Sequence, residues 1–215
     1  LLITEVAAIS VVLFVMYSIL LKSYGISPLK FFKGAKEAML TAFITRSSSG
    51  TLPVTMMCAD KNFGISRDLY SFTLPLGATI NMNGTVIGHM AISIFAANIV
   101  GVELSIAQMI ILIIAATMAA VGTAGVPMGG LITLTISLGS VGLPFETIGL
   151  VMGIYVIIDM FHTVANVTGD IVCTNIISKQ EKMTDWEKGV WKEEKTSAPP
   201  LPANQDHTQA SGEGQ

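Results

Sequence analysis

Hydrophobic residues fall in long blocks along this chain, and polar residues break the blocks at a few definite points. The first block, residues 1–22, reads LLITEVAAISVVLFVMYSILL and ends at Lys22. A helix needs about 20 apolar residues to cross a bilayer core, so this block predicts a spanning helix. Residues 66–100 predict a second, broken in its middle at TINMNGT. Residues 145–178 predict a third. Two further blocks differ. Residues 33–63 are interrupted at Ser-Ser-Ser-Gly, and residues 105–138 at Gly-Thr-Ala-Gly-Val-Pro. Such residues end helices and free backbone groups. At membrane depth, freed backbone groups persist only where protein buries them or where they line a wet cavity. Both blocks are therefore expected to form re-entrant helical hairpins whose tips meet inside the protein.

The fold class predicted is an all-α membrane protein, with transmembrane helices and two re-entrant hairpins arranged as an inverted repeat. A Pro-ending small-residue tip precedes a helix holding Asn81-Met-Asn-Gly, and a second precedes a helix holding Asn166-Val-Thr-Gly. Inverted repeats with broken helices meeting near the midplane are a transporter architecture.

Composition agrees. The 215 residues are 51% hydrophobic and 13% charged, against about 25% charged in a soluble domain. No Lys or Arg occurs between Arg67 and Lys179. If the first helix runs outward to inward, Lys22, Lys30, Lys33, Lys36, Lys61, Arg67, Lys179 and Lys182 all fall on one side, and Arg46 alone departs. Basic residues mark cytoplasmic loops, so the C-terminus is expected in the cytoplasm and the protein in a plasma or inner membrane. Residues 1–182 then form part of a transport domain, and residues 183–215 a polar tail, largely disordered, whose EKGVWKEE stretch reads as a solvated helix. The chain starts within an apolar run, without a basic n-region, which argues against a signal peptide and for a C-terminal piece of a longer protein. Cys58 and Cys173 lack metal-ligand spacing and are expected to be buried, inert thiols. Ser47, Ser48 and Ser49 lack a nucleophile context, so no enzyme is expected. Nothing points to a nucleic-acid partner.

The chemistry concentrates in DMFHTVANVTGD, residues 159–170. Asp159, His162, Thr163, Asn166 and Asp170 share one helix face. An ionisable group at the bilayer centre costs at least about 2.5 kcal/mol and faces a partner or a cavity. Two carboxylates without a basic residue on the same helix point to external cations. Free carbonyls at the break, residues 78–85, suit a small hard cation. The helix N-termini at the tips, residues 47–50 and 125–130, suit a carboxylate. Together they suit a zwitterion moved with cations.

These residues carry a resemblance. TRSSSGTLPVT (45–55), SFTLPLGATINMNGT (71–85), GTAGVP (122–127) and NVTGD (166–170) resemble the dicarboxylate/amino acid:cation symporter family, the glutamate transporters. The likeness implies a secondary active symporter of a small amino acid or related organic anion, driven by Na⁺ or alternatively H⁺. It also implies a homotrimer built through an N-terminal scaffold. For substrate it implies Asp159 at the amino group, with the carbonyls of Arg46 and Val126 nearby. Asn166 and the Ser48 N–H would hold the α-carboxylate, Thr85 and Thr163 would supply hydroxyls, and Gly130 a close backbone. For cations it implies Asp170 with carbonyls of Gly77, Asn81 and Asn166, then a second set from Thr79, Ala120, Val121 and Thr123, with Met82 between. His162 stands where acidic-substrate members have an arginine, and Asn83 where an aspartate is usual. Imidazole does not reproduce a guanidinium fork, so His162 is expected to select a neutral or differently polar substrate. An acidic-substrate carrier, a channel-like protein and an inactive fragment are the alternatives.

Overall fold

The computed structural model describes residues 1–192. Among them the chain is all helix, apart from one isolated antiparallel bridge between Ile65 and Thr184. Helix α1 (Leu2–Ser23) is one of three long apolar helices, and it loosens into a π-helical turn over Val11–Met16. Helix α2 (Pro28–Thr45) begins with proline at its first turn, where the missing N–H costs nothing; the first hairpin thus starts earlier than residue 33. Helix α3 (Ser48–Met57) returns. The two sections α4 (Arg67–Ile80) and α5 (Asn83–Val100) form the broken helix. Helices α6 (Ile106–Val121) and α7 (Gly129–Ser140) form the second hairpin, and α8 (Thr147–Gln180) follows.

The first break is narrower than expected. Only Arg46 and Ser47 are non-helical, because Ser47 caps α3 by accepting the Gly50 N–H at 2.9 Å. Ser48, Ser49 and Gly50 are therefore the first turn of α3, not loop. At the other break, Asn81 and Met82 leave the helical region, with φ/ψ of −93°/83° and −112°/45°.

Helix α8 is the axis of the molecule. It packs against α2, α4 and α5, and every residue from His162 to Val172 is buried. A helix covered on all sides needs apolar or hydrogen-bonded residues all round. Val164, Ala165, Val167 and Ile171 supply the apolar part. Thr168 returns its hydroxyl to Val164 O at 2.6 Å. In contrast, α6 exposes Ile106, Ile110, Ile113, Ile114 and Met118, a face suited to lipid. With three helices long and apolar enough to span, the chain is an integral membrane protein.

Two expectations are corrected. Cys173 is exposed while Cys58 is buried; Ile177, one turn further along α8, is exposed on the same side. The start of the tail is also ordered. Trp191 is 8% exposed and donates from Nε1 to Phe63 O at 2.9 Å, while Gly189–Trp191 is a single 3₁₀ turn rather than a solvated helix. Indole is a large apolar surface with one polar handle, and both are satisfied against the first hairpin. The rest of the predicted disorder, from residue 193, lies outside the described residues.

Candidate functional site

The two hairpin tips touch. Ser47 Oγ donates to Gly125 O at 2.6 Å, and the Ser49 N–H donates to the same carbonyl at 3.0 Å. Beside this contact lies a narrow cleft of about 10 Å³. Its walls come from both tips, from the α4–α5 break and from α8. Arg46, Ser48, Thr85, Val126, Gly130, Asp159, Thr163 and Asn166 line it, with Met82 and Thr123. Thus eight of the nine residues expected at the substrate converge on one cleft.

His162 is the exception. It is 1% exposed, and its Nε2 lies 3.1 Å from Glu5 Oε2 on α1. It does not line the cleft, so the expectation that it contacts substrate is not what the geometry offers. On a helix with about 100° per residue, His162 sits about 60° to one side of Asp159, and Thr163 about 40° to the other. That offset puts His162 at the edge of the stripe, turned toward α1.

The carboxylate of Asp159 is 6% exposed and accepts the Met128 N–H at Oδ2, 3.0 Å away. Met128 makes this donor available by taking a left-handed conformation, φ 65°, directly before α7. Asn166 is tied on both ends. Its Oδ1 accepts the Gly84 N–H at 2.7 Å, and its Nδ2 lies 3.3 Å from both Met82 Sδ and Thr85 Oγ1. The hydroxyl of Thr163 donates to Asp159 O at 2.9 Å. Asp159 and Arg46, residues of opposite charge, both line the cleft, and the N-terminal turn of α3 adds a positive dipole end at Ser48.

A second cluster lies about three turns beyond Asp159 along α8. Asp170 is 4% exposed, and its Oδ1 accepts from Asn81 Nδ2 at 2.8 Å. The same amide donates to Asn166 O at 3.1 Å. Gly77 lies directly against the carboxylate: a Cβ there would be 2.5 Å from Asp170 Oδ1. Gly77 O itself accepts the Asn81 N–H at 2.8 Å. Next to it, Asn83 Nδ2 donates to Tyr17 OH, and Tyr17 OH donates to Ala165 O at 3.1 Å. The last carbonyls of α4 face an interrupted ladder, as helix ends do. Carboxylate and carbonyl oxygens of this kind suit hard cations.

Among the described residues, hydrogen bonds do not extend from this cluster to Thr79, Ala120, Val121 or Thr123. Thr79 and Val121 are exposed, Ala120 O accepts the Thr123 N–H at 2.9 Å, and Thr123 Oγ1 pairs with Thr133 Oγ1 at 2.7 Å.

Comparison with known proteins decides the family. The sequence profile of the sodium:dicarboxylate symporter family matches residues 1–180. The chain belongs to the sodium:dicarboxylate symporter family. Among relatives of this family, mouse excitatory amino acid transporter 3 is 41% identical over 172 residues, which are 80% of this chain and 32% of that protein. The human protein of that name is 42% identical over 156 residues, 73% of this chain and 30% of it. An excitatory amino acid transporter of Caenorhabditis elegans is 40% identical over 156 residues, 73% of this chain and 31% of that one. The chain thus spans about a third of the length of the curated relatives it matches.

Three participants escape a reading of the symporter motifs alone: Glu5, Tyr17 and the Met128 N–H. Glu5 carried a visible signal, since it is the lone carboxylate in an otherwise apolar spanning block, and such a group calls for a named partner. Tyr17 and Met128 carried none, because their roles depend on hydrogen bonds to residues far away in the chain.

Proposed function

We propose that residues 1–182 are most of the moving domain of a secondary active symporter that couples uptake of a small amino acid, or a related organic anion, to Na⁺. The carrying observation is the pair of buried carboxylates, Asp159 and Asp170, on one face of α8. One opens on a cleft between two hairpin tips, and the other is held beside a helix break. Family membership supports sodium as the coupled cation; H⁺ is the alternative.

In this reading Asp159 takes the substrate ammonium in exchange for the Met128 N–H. The Ser48 N–H and Asn166 hold the α-carboxylate, with Thr85, Thr163, Gly130 and the carbonyls of Arg46 and Val126 closing round it. Asp170, with carbonyls of Gly77, Asn81 and Asn166, takes one Na⁺. Thr79, Ala120, Val121 and Thr123 offer carbonyls to a second, with Met82 between. The hairpins are re-entrant, and the second is the outer gate. The C-terminus is cytoplasmic in a plasma or inner membrane, as the segregation of basic residues supports. The assembled protein is a homotrimer joined through a scaffold, and it is a carrier rather than an enzyme.

A second reading, an acidic amino acid carrier, is favoured by Arg46 at the cleft and by relatives whose names state excitatory amino acid transport. The test is uptake of an amino acid panel by the full-length protein in sealed vesicles, under an inward Na⁺ gradient and with Na⁺ replaced by choline. Concentrative uptake that collapses in choline is expected. Uptake indifferent to the gradient, or conduction without accumulation, overturns the proposal.

A further inference from the structure

We infer that residues 183–191 are a latch: they fasten the base of the first hairpin to the end of α8, so that hairpin and helix travel as one jaw of the cleft. The consequence for transport rests on the symporter reading above; the latch itself does not.

The chain turns back as soon as α8 ends at Gln180, with Lys182 in a left-handed conformation, φ 57°. The Met183 N–H then donates to Ser178 O at 2.8 Å, and the Ser178 and Thr184 hydroxyls lie 2.6 Å apart. Two backbone bonds flank the bridge between Ile65 and Thr184: the Ser66 N–H donates to Met183 O at 2.9 Å, and the Asp185 N–H to Gly64 O at 2.8 Å. Trp191 closes the run. Its ring centroid lies 5.9 Å from that of Phe63, which stacks on Phe31 of α2 at 5.5 Å. The strap thus meets both arms of the first hairpin.

Three glycines shape its seat. A Cβ on Gly64 would lie 2.5 Å from Asp185 O, and one on Gly34 would lie 2.7 Å from the Phe63 ring and 3.3 Å from Val190 Cγ1. A Cβ on Gly189 would collide with Asn62 O. Gly64 and Gly189 also have φ of 62° and 54°, where a side chain is strained. Cys58, 0% exposed, belongs to the same apolar cluster as Phe31, Phe63 and Trp191, so lifting the strap uncovers the cluster that buries it.

The second hairpin has no such fastening. Among the described residues, the hydrogen bonds made by residues 101–121 and 139–146 stay local. Its bonds to other elements come from Gly125, Met128, Gly130 and Ser137. Opening is confined to the less secured segment, so the first hairpin stays shut while the second can move. In the proposed symporter, an unlatched first hairpin would let bound amino acid escape past Ser48.

The test is modification of Cys58 by a charged methanethiosulfonate in the purified full-length protein, located by peptide mass spectrometry. Beside it, Na⁺-driven accumulation in sealed vesicles is measured for the amino acid that the wild type takes up most. Trp191→Ala should speed Cys58 modification by at least about thirtyfold, or about 2 kcal/mol in the opening equilibrium, less than the full loss of a buried tryptophan costs. Accumulation should fall by at least about threefold, as a leak competes with uptake. Gly189→Ala keeps the indole but unseats the strap; it should do the same, and it replaces Trp191→Ala if that protein does not reach the membrane. Modification no faster in either variant overturns the inference. Faster modification with unchanged accumulation overturns it too, since the strap would then serve folding alone. A wild type that accumulates no amino acid removes the symporter reading, and the rate at Cys58 then decides the latch by itself.

Discussion

Asp159 and Asp170 lie on the same face of the same helix, both almost wholly buried, yet they are held by opposite means. Asp159 is met by a backbone N–H from a hairpin tip, at a residue in the left-handed region. Asp170 is met by a side-chain amide from the break in a long helix and sits on a glycine. Among the described residues, each keeps one oxygen without a protein donor. The contrast separates two tasks. A partner on a tip can leave when the tip moves, so Asp159 is suited to exchanging the Met128 N–H for a ligand. A partner inside the packed body stays, so Asp170 is suited to a small ion inserted among fixed oxygens.

The largest effect expected is that of Asp159→Asn. In the proposed symporter it removes the charge that would face the substrate ammonium, and losing one partner of a desolvated pair costs about 2–5 kcal/mol. Amino acid uptake should fall by at least about a hundredfold, while Na⁺ binding without amino acid, followed by isothermal calorimetry, stays near wild type. Next comes Asp170→Asn. Here Na⁺ half-saturation should rise by about thirtyfold, as one buried charge is lost from a cluster that retains its carbonyls. If both variants damaged Na⁺ binding equally, the two sites would be one.

Gly77→Ala sharpens the same line. Its new methyl would sit 2.5 Å from Asp170 Oδ1, too close without a shift of the carboxylate. Na⁺ half-saturation should rise by about tenfold, in keeping with a small strain at the ligand. The selectivity among amino acids should not change, as competition between labelled substrates would reveal.

The sequence made the frame legible because membrane helices announce themselves by length, and because breaks in them are written in Gly, Ser, Asn and Pro. The stripe from Asp159 to Asp170 was legible for the same reason, as helical periodicity puts Asp159, Thr163, Asn166 and Asp170 on one side. Position 162 was not legible. An offset of about 60° places its side chain at the boundary of two neighbours, and only packing decides between them. The deciding partner, Glu5, is 157 residues away. The width of the first tip was also hidden, since three serines in a row read as loop. Ser47 Oγ turns the next residues into helix by capping them. Trp191 was misjudged because charged neighbours mask one large ring that finds cover against Phe63.

The smallest effect expected is that of Ser47→Ala, and it bears on whether the tips act as one gate over Asp159. Ser47 Oγ does two things at once: it accepts the Gly50 N–H, capping α3, and donates to Gly125 O across the hairpins. An N-cap serine is worth about 1 kcal/mol on average. The cross-tip bond is shared, because the Ser49 N–H also reaches Gly125 O, so its loss leaves the carbonyl satisfied. The combined loss should therefore stay near 1 kcal/mol, or about fivefold in the amino acid half-saturation. Because the bond lies over the cleft and not beside Asp170, Na⁺ binding in the absence of amino acid should move by less than about twofold. A Ser47→Ala protein in which Na⁺ binding weakens as much as amino acid binding would mean that tip closure reaches the Asp170 cluster as well, and the division between a gated carboxylate and a fixed one would fail.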